Sequence, residues 1–401
     1  MNNRQINRRN FLRISAVAGA GAVLIPAESK ATAAVKSVAG QSSATDIAVR
    51  TLGRTGLQMP ILSMGVMRAD NPSVLRAAYN SGIRHFDTAH GYQNGKNEEM
   101  VGTFFADKPR DSVIIATKVK FDYPLKDDFE EKFEADVETS LKRLKMTYVD
   151  LFYIHAITGA EPIRDARVVA ALKKVKESGK ARFIGLSTHD GKNIEQIDAA
   201  VESGIYDMIL ISYNFKLNNL DGVNAAIERA AKAGIGFVAM KTMTGGVEDA
   251  DGKKKIDAKA CLKWVWQNKN FTTIIPGFTN YDELDECVAA VQSPELDENE
   301  KKYLAGLRDC EMLYCQQCGK CLAQCPEHLP IPDIMRAYMY SFGYKFSSLS
   351  KETLAELHLP DNVCTSCKGS SCKVDCPSGF RVGDKIAAVM PVRYVPDIFL
   401  C

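Results

Sequence analysis

Eight cysteines near the end of the chain stand in two runs whose spacing could hold iron–sulfur clusters. The first run is Cys315, Cys318, Cys321 and Cys325, and the second is Cys364, Cys367, Cys372 and Cys376. Each run ends in a Cys-Pro pair, and the first has the C-x2-C-x2-C-x3-C-P spacing with which thiolates bind [4Fe-4S] clusters. The two runs therefore predict two clusters and one-electron chemistry.

The spacing also predicts how the runs share their ligands. Three closely spaced thiolates bind one cluster, and the fourth, just before a proline, reaches the neighbouring cluster. One cluster would be held by Cys315, Cys318, Cys321 and Cys376, and the other by Cys364, Cys367, Cys372 and Cys325. The second run departs from the pattern, because four residues separate Cys367 from Cys372. Zinc knuckles and disulfides remain alternative interpretations of the same cysteines.

Length and composition indicate one large globular domain and a smaller one. The chain has 401 residues, with 51 Lys and Arg against 49 Asp and Glu, and 46% of its residues are hydrophobic. Because no basic patch with interleaved aromatic residues is present, nucleic-acid binding is not predicted.

The first residues of the chain form a predicted export signal. Arginines precede a twelve-residue apolar run over 14–25, which is too short to span a bilayer, so no stable membrane span is predicted. The segment Asn7-Arg8-Arg9-Asn10-Phe11-Leu12 resembles a twin-arginine signal, which implies export of a protein already folded around a cofactor, to the periplasm. An ordinary secretion signal or an uncleaved anchor is the alternative. We assign residues 1–33 to the signal peptide and 34–48 to a linker.

Residues 49–297 alternate short β-branched runs with longer amphipathic segments. Eight runs are predicted strands, at 61–66, 83–86, 113–117, 149–154, 182–186, 208–212, 236–240 and 272–275. Eight βα units predict an α/β fold with a (β/α)8 TIM barrel, since closure removes the edges of the sheet. An open doubly wound sheet is the alternative, but no G-x-G-x-x-G follows the first strand.

Titratable residues follow several of these predicted strands. Asp87 comes after the second strand, Tyr92 lies in the next loop, Lys118 comes after the third strand and His155 after the fourth. The active sites of such barrels lie at the carboxyl ends of the strands. The four residues therefore predict an active site, with loops 91–97 and 242–255 as walls of the substrate pocket.

The segments around these residues resemble the signature of the aldo-keto reductases. They are Gly82-Ile83-Arg84-His85-Phe86-Asp87-Thr88-Ala89-x-x-Tyr92, Ala116-Thr117-Lys118, Asp150-Leu151-Phe152-Tyr153-Ile154-His155 and Ile184-Gly185-Leu186-Ser187. The likeness covers about residues 49–291 and implies a catalytic tetrad of Asp87, Tyr92, Lys118 and His155. It also implies a nicotinamide cofactor, NAD or NADP, bound near Ser187, Ser212, Tyr213, Asn214, Lys241 and Gly277, with Tyr213 stacked on the nicotinamide.

The chemistry of the implied tetrad is carbonyl–alcohol interconversion. Tyr92 would donate a proton to the carbonyl oxygen, and the charge of Lys118 would lower the pKa of Tyr92. Asp87 would hold Lys118, and His155 would polarise the carbonyl. Residues 277–300 contain no Lys or Arg and several acids, so a 2′-phosphate is not expected there. The cofactor is then NAD, or its phosphate is bound elsewhere, or the nicotinamide site has weakened.

Residues 298–401 form a predicted second, mainly α-helical domain. Helical periodicity covers 331–344 and 350–358, between the two cysteine runs. The Cys325-Pro326-x-x-Leu329-Pro330-Ile331-Pro332 segment resembles the α-helical ferredoxin modules of redox enzymes, so the whole chain resembles iron–sulfur aldo-keto reductases. The resemblance implies an oxidoreductase that acts on a small carbonyl or alcohol and passes electrons through two [4Fe-4S] clusters to or from an external redox partner. The alternatives are an electron-transfer protein with a scaffold barrel, and a plain carbonyl reductase with structural clusters.

Overall fold

The computed structural model describes residues 46–245, 256–308, 313, 315–364 and 372–400, all within one compact unit. The predicted signal peptide and residues 34–45 of the predicted linker lie outside the described residues. So do residues 246–255 of one predicted pocket loop and Cys367 of the second cysteine run. Across the described ranges, no helix is both long enough and apolar enough to cross a membrane.

Strands in the described ranges form a hairpin and a larger parallel sheet. They are β1 (Val49–Thr51), β2 (Gln58–Pro60), β3 (Met64–Gly65), β4 (His85–Asp87), β5 (Ile114–Val119), β6 (Val149–Ile154), β7 (Ala181–Thr188), β8 (Met208–Ser212), β9 (Gly236–Met240) and β10 (Phe271–Ile274). Each of the eight predicted strands overlaps one of the strands β3 to β10, in the same order.

Helices follow the strands of the larger sheet and then continue to the end of the described chain. They are α1 (Pro72–Asn80), α2 (Lys96–Phe105), α3 (Phe129–Leu144), α4 (Glu161–Arg164), α5 (Ala166–Glu177), α6 (Asn193–Ser203), α7 (Leu220–Lys232), α8 (Ala258–Gln267), α9 (Tyr281–Val291), α10 (Glu298–Leu307), α11 (Ile331–Tyr338), α12 (Ser347–Glu356) and α13 (Val382–Val389). A π-helix (Met339–Gly343) extends α11, and the 3₁₀ turns are Gly53–Thr55, Tyr92–Gly95, Arg110–Ser112, Leu322–Gln324, Met390–Tyr394 and Asp397–Phe399.

The eight parallel strands close into a barrel. Strands β3 to β10 are neighbours in chain order. The amides of Ser63 and Gly65 donate to the carbonyls of Ile274 and Pro276, both at 2.9 Å, and so join the first strand to the last. The sheet has no free edge, and the prediction of a (β/α)8 barrel is confirmed.

Alternation along the strands fills two apolar layers. In β8, Met208 and Leu210 lie in the cluster inside the barrel, whereas Ile209 and Ile211 belong to the larger cluster between strands and helices. Successive side chains of a strand point to opposite faces, so each strand contributes to both layers. The barrel is therefore packed through its whole thickness and presents polar groups mainly where the strands end.

Polar caps start several helices of the barrel. Asn71 and Asp165 each accept a backbone hydrogen bond from the first turn of α1 and α5. Asp297 and Glu300 form a reciprocal capping box at the start of α10. These contacts satisfy amides that have no partner inside their helix, and so fix where each loop from a strand ends.

The β1–β2 hairpin, which the sequence did not predict, covers the end of the barrel at which the strands begin. Leu52 and Met59 are fully buried within the inner cluster. The amide of Arg54 donates to the carbonyl of Gly234 at 2.7 Å, just ahead of β9. The opposite end is left as the mouth at which the polar groups gather.

The described residues from Leu313 to 400 form a helical region with its own apolar core. Its fully buried members include Ile334, Leu354 and Val389, and Cys321 and Cys325 lie in the same core. Helix α10 packs instead on the barrel, where Lys263 and Glu300 form an ion pair at 2.8 Å. The core of the helical region thus begins after α10, whereas the predicted boundary at 298 precedes that helix.

Candidate active site at the barrel mouth

The four residues of the implied tetrad lie together at the mouth. Asp87 ends β4, Lys118 lies near the end of β5, and His155 follows β6. Lys118 Nζ is 2.5 Å from Asp87 Oδ1 and 3.5 Å from the Tyr92 hydroxyl. The rings of Tyr92 and His155 meet edge to face, with centroids 5.6 Å apart. A carbonyl oxygen near the Tyr92 hydroxyl would thus have His155 beside it and Lys118 behind.

Asp87 and Lys118 form a buried ion pair. Their side chains are 3% and 2% exposed. Burial raises the pKa of Asp87 and lowers the pKa of Lys118, while the contact between the two groups opposes both shifts. Lys118 also donates to the carbonyl of Thr88 at 2.6 Å, so its ammonium is held in one position below Tyr92.

Tyr92 and His155 are both held in their neutral forms. Burial, reinforced by the carboxylate of Asp87, raises the pKa of Tyr92 well above 10. The sequence led us to expect the opposite, a pKa lowered by Lys118, and burial outweighs that contact. Burial and the charge of Lys118 lower the pKa of His155 well below 6.5. A protonated phenol and a neutral imidazole can both donate a hydrogen bond to a carbonyl oxygen.

The residues implied as nicotinamide contacts spread around the mouth. Ser212 is buried, and its hydroxyl has no hydrogen-bond partner among the described residues. The Ser187 hydroxyl accepts from the amide of Ala156 at 3.1 Å, and the Asn214 amide donates to the carbonyl of Lys241 at 3.1 Å. Gly277 bridges to Gly65 beside the closure of the barrel. Burial lowers the pKa of Lys241 to about 7, and Arg336 adds to this shift.

Tyr213 does not face the mouth, contrary to its predicted place against the nicotinamide. Its ring packs on Phe271 at 4.3 Å and on Trp264 at 5.2 Å between centroids. Its hydroxyl donates to Asn224 at 2.7 Å. Ser212 points into the barrel, so the next side chain along the strand points into the layer between strands and helices.

The acidic run after β10 has a structural role that its sequence did not specify. Glu283 accepts hydrogen bonds from the amide and hydroxyl of Thr279, at 2.7 and 2.9 Å, and lies in the first turn of α9. Asp282 and Asp285 are exposed. Carboxylates favour the positive end of a helix, so capping accounts for these acids near the start of α9.

The helical region lies over the mouth of the barrel. Its Gly343 is so close to Gly245, after β9, that a methyl group there would overlap the Gly245 carbonyl oxygen. Its Tyr344 ring lies 5.4 Å from the guanidinium of Arg68, after β3. Its Glu356 forms an ion pair with Lys120, after β5, at 3.1 Å. The two regions therefore share the site.

Three residues of the helical region reach the tetrad and were not predicted as site residues. The charge of Arg336 lowers the pKa of His155, and Tyr340 and Tyr344 both contribute to the raised pKa of Tyr92. Arg336, Tyr340 and Tyr344 are spaced four residues apart, which places them on one face of a helix. The sequence shows this four-residue spacing, but it does not show that the helix face with these three residues contacts the barrel.

Four cysteines come together below the start of α11. Burial and the neighbouring Cys376, Cys321 and Cys318 raise the pKa of the Cys315 thiol to about 12. Cys318, Cys376 and Cys325 likewise raise the pKa of Cys321, beside the effect of burial. Three of the cysteines in this group, Cys315 included, come from the first run and Cys376 from the second, which is the set predicted to share one cluster. Cys325, predicted to bind the other cluster, lies near them.

The remaining predicted ligands are less completely described. Cys325 is buried, whereas Cys364 and Cys372 are half-buried at the edge of the same core. Their predicted partner Cys367 lies outside the described residues. Among the residues that the structure describes, no three His, Cys, Asp or Glu side chains converge on a point that one metal ion could fill.

The comparisons with known proteins identify the barrel. Residues 63–259 match the model of the aldo/keto reductase family, and residues 5–24 match the twin-arginine translocation signal sequence. The chain carries an aldo/keto reductase domain. The reductase domain makes the protein an oxidoreductase, and the signal at its start directs it to twin-arginine export. Neither match covers the cysteine runs.

Curated relatives of the reductase domain include named enzymes. L-galactose dehydrogenase of Arabidopsis thaliana is 26% identical over 293 residues, which are 63% of this chain and 90% of that protein. L-glyceraldehyde 3-phosphate reductase of Escherichia coli O157:H7 is 28% identical over 305 residues, 61% of this chain and 87% of that one. Both are oxidoreductases by name.

Solved structures share the fold of the reductase domain. An aldo-keto reductase from Bacillus halodurans, in its holo form, superposes with a TM-score of 0.54 and 21% identity over 68% of this chain and 99% of that one. A structure of an aldo-keto reductase from Pseudomonas aeruginosa superposes with a TM-score of 0.52 and 24% identity, over 63% of this chain and 98% of that one. These likenesses support the barrel fold.

Proposed function

We propose that the protein is an exported iron–sulfur aldo-keto reductase. Its barrel interconverts a small carbonyl compound and the corresponding alcohol with NAD or NADP, and its helical region exchanges electrons with the barrel through two [4Fe-4S] clusters. The observation that carries the proposal is the arrangement of the mouth, where Tyr92, Lys118 and His155 converge within reach of residues from the cysteine-bearing region.

In the reduction direction, each residue of the tetrad has a defined task. A bound nicotinamide would supply the hydride that reaches the carbonyl carbon. Tyr92, protonated because it is buried, gives its proton to the oxygen, so that C=O becomes CH–OH. Neutral His155 donates a hydrogen bond that orients the same oxygen. Lys118, fixed by Asp87, stabilises the phenolate that Tyr92 leaves behind.

The mouth offers polar groups that suit a nicotinamide. The buried Ser212 hydroxyl lacks a partner among the described residues and is available to its carboxamide, with Asn214 and Ser187 nearby. Tyr213 is not available for stacking, because its ring is packed between strands and helices. The acids at the start of α9 are explained by helix capping and do not distinguish NAD from NADP, so the titration below uses both cofactors.

The grouping of Cys315, Cys318, Cys321 and Cys376 supports the first cluster. Four thiols in one partly buried place resist ionisation unless a cationic centre neutralises them, and iron does so. A cubane spreads its ligands over four iron atoms, so its cysteines need not converge on one point as the ligands of a single ion do. The second cluster, with Cys325, Cys364, Cys367 and Cys372, is proposed from sequence spacing.

The proposed substrate is a small hydroxylated aldehyde, ketone or alcohol, in keeping with the names of the two relatives above. Regeneration of NADH from NAD⁺ takes two electrons and one proton. Each cluster carries one electron at a time, so two reduced clusters together would supply the pair of electrons, and the proton would come from water. We further propose a periplasmic location, where an external redox partner would supply or remove these electrons.

Anaerobic titration tests the proposal. Protein purified without oxygen should contain iron and inorganic sulfide and absorb visible light, and added NADH or NADPH should bleach that absorbance. Carbonyl turnover without bleaching would indicate a plain reductase with structural clusters. Absence of both would indicate an electron-transfer protein with a scaffold barrel. A colourless preparation free of iron and sulfide would remove the clusters from the proposal and leave the reductase.

A further inference from the structure

Arg336 brings a guanidinium from the helical region to the barrel mouth. It lies near the end of α11, one turn before Tyr340, and its side chain is 19% exposed. Met339 belongs to the π-helix that extends α11. It lies so close to Gly245 that a Cβ atom on Gly245 would be 2.7 Å from Met339 Cγ. The end of α11 is thereby fixed against the loop after β9.

The electrostatic environment of the mouth is positive. Burial lowers the pKa of His189, which follows β7, and the charged groups that lower it further are all basic, namely Lys241, Arg336, His155 and Lys118. The basic groups that shift His155 are Lys118, Lys120 and Arg336. Among the acidic groups beside these bases, Asp87 contacts Lys118 and Asp333 contacts Arg336 at 2.9 Å, while the Cys315 thiol acts on Lys241. A positive region with low exposure favours a negatively charged ligand.

Hydrogen-bond donors at the mouth remain available. Arg336 has five N–H donors, and its ion pair within the described residues is a single contact with Asp333. His189 Nδ1 is a buried atom without a hydrogen-bond partner in the described part of the chain. His155 and His189 are adjacent, with ring centroids 6.4 Å apart. His189 and Arg336 therefore offer donors on the side of His155 where a substituent of the carbonyl compound could lie.

A narrow cleft lies on one side of Tyr92. It has a volume of about 190 Å³ between the Tyr92 loop and α12, and its walls include Met67, Gln93, Phe346 and Leu349. Pockets for drug-sized ligands are roughly 300–1,000 Å³. Any part of a substrate that extends past Tyr92 on this side is therefore small, and it meets the helical region.

We propose that Arg336 binds an anionic group of the substrate, so that the site selects small carbonyl compounds that carry a carboxylate or a phosphate. The proposal rests on the proposed function, because it assumes that the carbonyl lies at Tyr92 and His155. A planar guanidinium binds either anion through two parallel hydrogen bonds, and the paired N–H groups fix its orientation. The helical region thereby determines which substrates the reductase domain accepts.

Two matched pairs of probes separate charge from shape. Pyruvate and methyl pyruvate differ in a carboxylate, and glyceraldehyde 3-phosphate and glyceraldehyde differ in a phosphate. Binding of each to anaerobically purified full-length protein would be measured by calorimetry in the presence of NAD⁺, and turnover with NADH and NADPH. The variants are Arg336→Gln, Arg336→Lys and the control Arg381→Gln. Arg381 has the same kind of contact, with Asp384 at 3.2 Å, but is 79% exposed.

We expect the wild-type protein to prefer the charged member of at least one pair. Arg336→Gln should weaken binding and raise KM for that probe about tenfold to a hundredfold, the range for a charged hydrogen-bond partner, while the neutral probe changes less than about twofold. Arg336→Lys should fall between, and Arg381→Gln should match the wild type. The pair that responds distinguishes a carboxylate from a phosphate substrate.

The outcomes separate this proposal from the proposed function. Equal binding of charged and neutral probes by the wild-type protein, or an equal loss for both in Arg336→Gln, would overturn the role of Arg336 even with turnover intact. Charge-selective binding that depends on Arg336, without turnover, would retain this role and count against the reductase activity. Thermal unfolding and cluster absorbance of each variant show whether it has folded.

Discussion

The barrel and the helical region differ in what fills their interiors. Inside and around the barrel strands the packing is mostly apolar, with buried ion pairs at its two ends, Asp87 with Lys118 at the mouth and Asp150 with Arg110 where β6 begins. The core of the helical region includes Cys321 and Cys325, with further cysteines at its edge. Apolar burial can stabilise the barrel by itself, whereas under the proposed function the smaller core would gain stability from the clusters that its cysteines bind. One region is the frame of the site and the other its cover.

The largest expected effect is on catalysis at the barrel. Tyr92→Phe removes the proton donor and should lower carbonyl turnover about 10²- to 10⁴-fold, the usual contribution of a general acid. Turnover and visible absorbance would be measured on the same anaerobic sample. The control is Tyr123→Phe, since Tyr123 is 43% exposed and its hydroxyl contacts Asp165 rather than the tetrad. Unchanged turnover in Tyr92→Phe would exclude Tyr92 as the acid.

The second effect is on the helical region alone. Cys321→Ser removes a proposed ligand, so about half of the iron should be lost and the helical region should unfold at a lower temperature than the barrel. Iron analysis and calorimetry would show one transition becoming two. The matched control is Cys261→Ala, because Cys261 is a fully buried cysteine of the barrel. If both variants kept the same iron, the cysteine runs would have another role.

A third prediction concerns the barrel below the tetrad. Burial, reinforced by Lys118, lowers the pKa of His85 from 6.5 to about 3, and both ring nitrogens lack hydrogen-bond partners among the described residues. The unfolded chain takes up a proton below pH 6.5 while buried His85 stays neutral, so acidification favours unfolding. The free energy of unfolding should fall by about 2 kcal/mol from this residue between pH 7 and pH 5.

His85→Phe tests that pH dependence. The variant should be as stable as the wild type at pH 7 or more stable, since it removes an unpaired polar ring, and its loss of stability on acidification should be smaller by the same amount. Denaturant unfolding at several pH values measures both. An unchanged pH dependence would show that His85 does not titrate between the two states.

The smallest effect concerns the contact between the two regions. Lys120 and Glu356 are 54% and 60% exposed, and a surface ion pair of this kind contributes roughly 0–1 kcal/mol. Lys120→Ala should therefore leave unfolding and turnover nearly unchanged. A large loss would mean that docking of the helical region depends on one surface pair rather than on the packing around Gly245 and Gly343.

The sequence predicted the barrel well because its signals are local. Alternating apolar runs predicted all eight strands, and the four polar residues that follow those runs do lie together at the mouth. The β1–β2 hairpin could not be predicted because its strands have three residues each, too few to show a period. The packing of Tyr213 depends on Phe271 and Trp264, which are distant in sequence.

The contribution of the helical region could not be predicted in the same way. Arg336, Tyr340 and Tyr344 show helical spacing, but their meeting with His155 and Tyr92 joins residues more than 180 positions apart. Such contacts depend on how two cores pack, which no local pattern encodes. The reversed pKa of Tyr92 has the same origin, because it depends on the burial that this packing causes.

The close approach of Gly343 to Gly245 has a consequence for biosynthesis. A ribosome makes the barrel strands before it makes α11, so the mouth stays uncovered until α11 has been made and packs over it. Any small molecule that resides beneath α11 has to enter during that interval or wait for the cover to lift. The order in which the two regions are made therefore determines when a ligand can enter, because α11 then covers what the barrel has already bound.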